Sequence, residues 1–262
     1  MPLPAFNIIN GGAHADNELD IQEFMVVPRK KRFRDNFQTG KDISEKLTKI
    51  AEKRFGVVKM GDEGGLSLPV KTSEEALSLI SEAIWGKNDI RVILDCAASQ
   101  FYKKGFYGIA GKRFNKEGLV NYYSGIVKKY PIIGLEDPFA QDDWEGWKML
   151  GSKLKKVLII GDDLLVTNPK RIRLAKKRNA CNGVIIKINQ VGTVTEAIEA
   201  AKLAKSYGWK IMVSHRSGET MDDFIADFAV GIDADFIKAG APTRPERLIK
   251  YNRLLEIEKE MS

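Results

Sequence analysis

Residues 132–162 read IIGLEDPFAQDDWEGWKMLGSKLKKVLIIGD, and this stretch decides the fold. The apolar run Ile132–Glu136 predicts a strand, the spacing over Trp144–Leu150 predicts a helix, and Val157–Gly161 predicts a second strand. An acidic residue stands at the end of each strand. Strand and helix units of this length, repeated along a chain, are typical of a (β/α) barrel.

The same arrangement recurs along the chain, where apolar runs end in polar side chains that lie 23 to 41 residues apart. In a (β/α) barrel the carboxyl ends of the strands open on one face, and that face carries the chemistry. Burying an isolated carboxylate is costly unless a partner compensates it. The sequence therefore predicts that one site brings together Asp95, Glu136, Asp162, Lys187, His215 and Lys238.

Eight strands are predicted, as a closed barrel requires: Phe6–Asn10, Glu23–Val27, Val92–Asp95, Ile132–Glu136, Val157–Gly161, Val184–Ile188, Ile211–Ser214 and Asp235–Lys238. Helices are predicted over Ile43–Lys53, Glu74–Trp85, Leu119–Lys129, Trp144–Leu150, Lys170–Arg178, Val194–Tyr207, Met221–Gly231 and Arg244–Lys259. Thr72 and the Asn168-Pro169 pair are helix-start signals. No helical pattern fills Gly11–Gln22, so we expect an irregular start to the barrel.

Length and composition agree with one barrel. The 262 residues match the roughly 250 of a typical TIM barrel, and 44% hydrophobic residues suffice for a closed core. We therefore expect an α/β fold, a TIM-type (β/α)8 barrel, formed by a single domain over residues 1–262. The sequence shows neither a long apolar run nor a signal peptide, so we expect a soluble, cytoplasmic protein. Cys96 and Cys181 lie outside any zinc motif and are predicted to be buried thiols.

The net charge is +7, from 42 basic and 35 acidic residues, and the densest basic run lies within residues 29–34. Its cations are Arg29, Lys30, Lys31, Arg32 and Arg34, with Phe33 as the one aromatic residue among them. Nucleic-acid sites normally combine such a run with several aromatic side chains or a recognisable motif. A solvated loop or helix start is therefore favoured over a nucleic-acid site, and no membrane partner is expected.

Nine short motifs follow one another in the order known from one family. They are MPLPAFNIINGGAHADN, LDIQEF, GDEGG, LDCAAS, LEDPFAQDDW, GDDLLVTN, IKINQVGT, SHRSGET and IKAGAPTRPERLIKYNRLLEIE. Over essentially its whole length the chain resembles the catalytic barrel of the enolases, the phosphopyruvate hydratases. The resemblance implies a barrel with an antiparallel second strand. It also implies an Mg²⁺-dependent lyase that converts 2-phosphoglycerate reversibly to phosphoenolpyruvate.

The resemblance implies that Asp95, Glu136 and Asp162 are the carboxylate ligands of Mg²⁺. Independent chemistry agrees, because Mg²⁺ is a hard cation that prefers carboxylate oxygens. The alternative is that each carboxylate caps a following helix, which suits one position better than three. Asp163, beside the last ligand, is expected to be a neighbouring partner or a helix cap.

The resemblance further implies that Lys187 is the general base and Glu63 the general acid, with Glu23 as the acidic neighbour of Glu63. A lysine base requires a lowered pKa, and we expect the metal and Lys238 to lower it. Two adjacent carboxyls share a proton, which keeps one of them available as an acid. Glu23 could instead face outward from its strand.

The substrate's phosphate and carboxylate are expected, again by resemblance, to meet a group of polar side chains. An arginine suits phosphate because its planar fork donates two hydrogen bonds at once. For His14, a position in the core or on the surface is the alternative. The implied substrate-binding residues are His14, Gln22, His215, Arg216, Ser217 and Lys238.

The family also has a separate N-terminal domain, whose mobile loop closes the site, whereas this sequence starts at the barrel. Gln100 and Ala239 depart from the residues usual in the family. Three interpretations stay open: an active enolase, a catalytically weak scaffold or binding protein, and a barrel subunit that needs a separate lid chain. A homo-oligomer is a further expectation.

Overall fold

The computed structural model describes residues 1–261, and its centre is a closed ring of strands. The strands are Leu3–Asn10 (β1), Glu23–Pro28 (β2), Lys59–Met60 (β3), Leu66–Ser67 (β4), Ile90–Asp95 (β5), Tyr102–Lys103 (β6), Phe106–Ile109 (β7), Lys112–Phe114 (β8), Ile132–Glu136 (β9), Leu158–Gly161 (β10), Gly183–Ile186 (β11), Lys210–Ser214 (β12) and Phe236–Lys238 (β13). Eight of them form the ring in the order β1-β2-β5-β9-β10-β11-β12-β13, and β13 pairs back with β1. The predicted TIM-type barrel is confirmed.

The second strand of the ring runs against all the others. β2 is antiparallel to both β1 and β5, whereas the remaining neighbours in the ring are parallel. Its reversal places the first residue of β2, rather than the last, at the carboxyl end of the barrel: Glu23 pairs with Asp95, the last residue of β5. The irregular, antiparallel start is therefore also confirmed.

Helices pack around the ring. They are Phe33–Phe55 (α1), Ser73–Ala83 (α2), Lys116–Lys129 (α3), Trp144–Lys153 (α4), Pro169–Arg178 (α5), Ile188–Val191 (α6), Val194–Ser206 (α7), Phe224–Gly231 (α8) and Pro245–Glu260 (α9). All eight predicted helices are present, and short α6 is an addition. Thr72 closes a capping box with Glu75 at the start of α2, and Asn168 caps α5 by accepting from the Lys170 N–H.

The largest error in the predicted boundaries is at α1, which starts at Phe33 instead of Ile43. The carboxylate of Glu258, in α9, accepts hydrogen bonds from the backbone N–H groups of Phe33 and Arg34. These are orphan donors at a helix start, so their cap comes from a residue more than 220 positions away. The basic residues 29–34 are exposed around this start, as the solvated helix-start interpretation predicts.

Two apolar layers hold the barrel. The inner layer, where side chains point into the ring, consists of Ala5, Met25, Val27, Ile93, Ile160, Ile185, Met212 and Phe236. The outer layer, with residues such as Leu94, Leu135 and Trp147, lies between the strands and the helices. The interior is thus a packed core and not a channel.

Two smaller features complete the description. β6, β7 and β8 form an antiparallel ribbon beside the barrel mouth, which the sequence did not predict. Cys96 and Cys181 are buried free thiols, as predicted.

Within residues 1–261 we find no helix with the length and apolar character that a membrane crossing requires.

Candidate active site

A cavity of about 190 Å³ opens at the carboxyl end of the barrel. Asp95 and Lys238 are the last residues of β5 and β13, and Asp162, Lys187 and His215 directly follow β10, β11 and β12. Parallel strands therefore bring these residues to one place, as expected. Eleven of the twelve predicted site residues line the cavity: His14, Gln22, Glu23, Glu63, Asp95, Asp162, Lys187, His215, Arg216, Ser217 and Lys238.

The twelfth residue, Glu136, is fully buried and reaches the site through a lysine. The Nζ of Lys238 donates to both carboxylate oxygens of Glu136 at 2.9 Å and to Oδ2 of Asp95 at 2.8 Å. It also lies 3.1 Å from Oε2 of Glu23. Burial, followed by the charge of Asp95, raises the pKa of Glu136 well above its usual range, although Lys238 opposes this. One lysine thus holds three buried carboxyl groups together.

Lys187 forms an ion pair with Asp162 across the neighbouring strands β11 and β10. Burial is the largest influence on the pKa of Lys187 and lowers it, as the charge of Lys238 also does, but the charges of Asp162 and Glu136 together with the hydrogen bond to Asp162 outweigh both, so the pKa is raised. A net lowering by Lys238 is thus not seen here, and the lowering expected with a bound metal stays a prediction. Strand pairing explains the difference, because it sets the lysine beside a carboxylate as well as near a second lysine.

A second group of carboxylates surrounds Asp162. Asp137 accepts the backbone N–H groups of Asp162 at 3.0 Å and Asp163 at 2.6 Å, and oxygens of the three lie within 4.8 Å of one another. Asp137 has a φ of 41°, in the left-handed region that few residues other than glycine adopt but that aspartate enters more often than most. Among residues 1–261, Oδ1 of Asp162 is buried and has no hydrogen-bond partner. A free carboxylate oxygen within an acidic cluster suits a hard divalent cation.

The alternative prediction, that each of these carboxylates caps the helix that follows it, does not hold. The caps of α4 and α5 are Asp143 and Asn168, so neither Glu136, Asp162 nor Asp163 caps the helix that follows it. Asp95 does accept the N–H of Ala97 in the turn after β5. Asp163 is the exposed neighbour of the cluster, which agrees with the prediction of a neighbouring partner and not with that of a helix cap.

Glu23 and Glu63 form a buried acidic pair flanked by both histidines of the chain. Nδ1 of His14 lies 3.6 Å from Glu23 Oε1 and 3.5 Å from Glu63 Oε1, and Nε2 of His215 lies 3.3 Å from Glu63 Oε1. Asn7 donates to the other oxygen of Glu63 at 2.7 Å. Glu23 faces the mouth and His14 lines the cavity, so the alternative placements of both residues are wrong.

The pair is electrostatically unequal. Burial and the nearby charge of Glu63 raise the pKa of Glu23 well above its usual range. Burial would raise the pKa of Glu63 too, but the contacts with His215 and His14 lower it well below that range. Of the two carboxyls, Glu23 therefore has the greater tendency to hold a proton.

The outer part of the cavity is cationic and more exposed. Arg216 and Ser217 follow His215 and are both exposed, and Nη1 of Arg216 donates to Asn189 at 3.1 Å. On the other wall, Gln100 donates to Gln22 at 2.5 Å. An anionic group that enters the cavity would thus meet an arginine, a hydroxyl and the buried Lys238.

Sequence reasoning missed three residues that shape the site. Asp137 directly follows Glu136 at the end of β9, so its position was a usable signal. Asn7 lies in β1 on the side that faces Glu63. Arg247 lies in α9, far along the chain, and contacts His215 and the backbone of the same loop. No pattern in the sequence predicts its contact with His215.

Comparison with known proteins agrees with the geometry. Residues 1–262 match the family model described as enolase, C-terminal TIM barrel domain. The chain is 46% identical over 261 residues to the enolase of Neorickettsia sennetsu. It is 44% identical over 267 residues to that of Methanocaldococcus jannaschii and 44% identical over 265 residues to that of Elusimicrobium minutum.

These alignments cover 98% to 100% of the chain but only 63% of each relative, so the chain spans less than two thirds of their length. The match covers the whole barrel, including the reversed strand β2 and the loops that form the polar mouth. The chain belongs to the enolase family and matches the C-terminal TIM barrel domain of that family.

Proposed function

We propose that this barrel carries an enolase-type lyase site, which dehydrates 2-phosphoglycerate reversibly to phosphoenolpyruvate in the presence of Mg²⁺. One observation carries the proposal: Lys187 follows β11 and Glu23 begins β2, and these strands are four positions apart in the ring of eight. A lysine and an acidic pair therefore face each other across one cavity. The loss of water from adjacent carbons needs a base on one side and an acid on the other.

In the proposed reaction, Lys187 takes the proton from the carbon that carries the substrate carboxylate. The electrons of that C–H bond form the new double bond, the bond between the next carbon and its hydroxyl breaks, and the hydroxyl leaves as water. The proton for this water comes from the pair formed by Glu63 and Glu23. Glu63 is assigned as the acid, and Glu23, whose pKa is raised, is assigned as the immediate source of its proton.

Asp95, Glu136 and Asp162 are proposed to hold Mg²⁺. The orphan Oδ1 of Asp162 and the excess of buried carboxyls over lysines fit a hard cation. The chemistry that Mg²⁺ supplies when bound is neutralisation of the charge that develops on the substrate carboxylate. A cation held by Asp162 and Glu136 would offset the negative charges that raise the pKa of Lys187, and a lysine base requires a lowered pKa.

The remaining residues are proposed to bind the substrate. Arg216 and Ser217 are exposed at the outer part of the cavity, where a phosphate can be reached. Their guanidinium and hydroxyl groups are suitable donors for phosphate oxygens. Lys238, with its three carboxyl neighbours, lies deeper and is proposed to bind the substrate carboxylate. His14, Gln22 and His215 complete the set.

The test is phosphoenolpyruvate formation by the purified chain from 2-phosphoglycerate, with Mg²⁺ and then with EDTA. We expect metal-dependent turnover. Because the chain spans only part of its relatives, the assay is repeated with an added, separately expressed N-terminal enolase domain. An absence of turnover in both forms of the assay, with Mg²⁺ still bound, would contradict the proposal and favour a non-catalytic binding role.

A further inference from the structure

A buried arginine outside the twelve predicted residues fastens the loop that follows β12. Arg247 lies in the first turn of α9, and its side chain is only 1% exposed. Its Nη1 lies 2.5 Å from Nδ1 of His215 and donates to the carbonyl of Arg216 at 2.8 Å. Its Nη2 donates to the carbonyls of Ser217 at 2.6 Å and Asp62 at 3.3 Å.

The contact with His215 restricts where the imidazole carries its proton. A guanidinium has only donors, so Nδ1 must offer its lone pair, and the proton of the neutral ring is then on Nε2. Burial lowers the pKa of His215 and, together with the charges of Arg247 and Lys238, outweighs the raising effect of Glu63, which favours the neutral ring. The two nitrogens of His215 therefore have different and fixed roles.

The tautomer of His215 matters for Glu63, which lies next to the ring. Nε2 of His215 lies 3.3 Å from Oε1 of Glu63, so the protonated nitrogen is the one next to the carboxylate, although the two do not meet hydrogen-bond geometry in this arrangement. In the opposite tautomer a lone pair would face the same oxygen, and the two would repel. The choice of tautomer thus decides whether His215 stabilises or destabilises the ionised form of Glu63.

We propose that Arg247 is a positioning residue that fixes the Nε2–H tautomer of His215 and thereby presents an N–H to the carboxylate of Glu63. The meaning of this for catalysis rests on the proposed function, in which Glu63 is the general acid. The tautomer itself does not depend on that function and can be observed without substrate.

A neighbouring arginine on the same helix end provides a matched control. Arg244 donates to the carbonyl of Gly61 at 2.9 Å and to that of Asp62 at 3.1 Å. It therefore fastens the loop that carries Glu63, as Arg247 also does, but through backbone carbonyls and not through an imidazole. A purely structural role of Arg247 would be shared by Arg244, whereas control of the tautomer would not.

The experiment is a long-range ¹H–¹⁵N correlation spectrum of the full chain labelled with ¹⁵N in its imidazoles, without substrate at neutral pH. The chain has only two histidines, so a His14→Asn variant assigns both. For wild type and Arg244→Met we expect His215 to show a protonated Nε2 and an accepting Nδ1. For Arg247→Met we expect loss of this preference, with a measurable Nδ1–H fraction. Arg247→Lys, which keeps a donor and no acceptor, should retain the Nε2–H form.

A wild-type spectrum with the proton on Nδ1 overturns the proposal, even if Arg247→Met does not fold. So does an Arg247→Met spectrum that matches wild type in the tautomer of His215. Failure of the turnover assay would leave the spectrum unchanged and would count against the proposed function alone. The two proposals are therefore tested separately.

Discussion

Lys187 is held as an ammonium by Asp162, although the proposed reaction needs its neutral amine. If Lys187 is the base, Lys187→Ala should reduce phosphoenolpyruvate formation by about 10²–10⁴-fold, the usual contribution of a general base. The measurement is steady-state turnover at saturating Mg²⁺. Lys170→Ala, which removes an exposed lysine in α5, is the control and should behave like wild type. Equal rates for the two variants would remove Lys187 from the mechanism.

Glu136 carries a different prediction, because it is fully buried and its carboxylate accepts hydrogen bonds from Lys238. Glu136→Gln keeps the shape but removes one negative charge, so Mg²⁺ affinity measured by titration calorimetry should fall. Glu145→Gln, at an exposed carboxylate paired with Lys116, should bind Mg²⁺ as wild type does. Unchanged affinity in Glu136→Gln would exclude Glu136 as a ligand.

At the scale of residues, the sequence located the site better than it described its charges. Residues at strand ends could be placed because strand ends converge in any barrel. The partners of each charge could not be placed, because they depend on strand order: Asp162 helps to raise the pKa of Lys187, and burial beside Glu63 raises the pKa of Glu23. Asp137 was missed because its role is to accept two backbone N–H groups from the next strand's loop.

The link between β13 and α9 depends on a glycine in a left-handed conformation. Gly240 has a φ of +84°, and a Cβ there would lie 2.8 Å from the carbonyl oxygen of Glu63 and 2.9 Å from Cδ of Arg247. Gly240→Ala should therefore combine backbone strain, about 1–3 kcal/mol in such positions, with a steric clash. The measurement is the free energy of unfolding in urea.

Gly86→Ala is the matched control for this prediction. Gly86 has nearly the same φ, +82°, but a Cβ there would meet nothing within 4 Å. It should lose stability through the strain alone and therefore less than Gly240→Ala. Equal losses would show that packing around Arg247 and Glu63 does not constrain the link.

The loop after β12 is also tied to α9 through an ion pair. Nζ of buried Lys250 lies 3.0 Å from Oε2 of Glu219, whose other oxygen accepts from the backbone of Arg216. Burial raises the pKa of Glu219, but the bonds from Lys250 and Arg216 outweigh it and lower the pKa below the usual 4.5. The unfolded chain therefore takes up this proton at a higher pH than the folded chain does.

The stabilising contribution of Glu219 should accordingly be complete above about pH 4.5 and disappear as the pH falls through the lower, folded-state pKa. Urea unfolding as a function of pH should show wild type more stable than Glu219→Gln near neutrality. The difference should shrink in acid. Glu199→Gln, at an exposed position in α7, should show no comparable trend. A pH-independent difference for Glu219→Gln would rule out this linkage.

At the scale of elements, apolar periodicity predicted all eight strands of the ring and the eight helices that pack on it. Apolar periodicity failed at the start of α1, where a residue distant in the sequence supplies the cap, and at the short ribbon β6–β8. The first ten residues of α1 depend on a cap from Glu258, and the ribbon β6–β8 consists of strands of two to four residues. Strands this short carry too little alternation to be recognised.

For the molecule as a whole, one reversed strand connects fold and chemistry. Had β2 run parallel to its neighbours, its first residue, Glu23, would lie at the opposite end of the barrel from Lys187. The reversal instead pairs Glu23 with Asp95 at the mouth, four strands from Lys187. The central claim is that this arrangement separates a base from an acid across one cavity.

Exchange of the substrate's C2 hydrogen with D₂O, followed by NMR together with phosphoenolpyruvate formation, tests that claim most directly. With Mg²⁺ present, Glu63→Gln should still exchange the hydrogen, because Lys187 is intact, but it should form little product. Lys187→Ala should lose both exchange and product. Exchange that survives in Lys187→Ala and disappears in Glu63→Gln would contradict the account, because the base would then lie on the β2 side of the barrel.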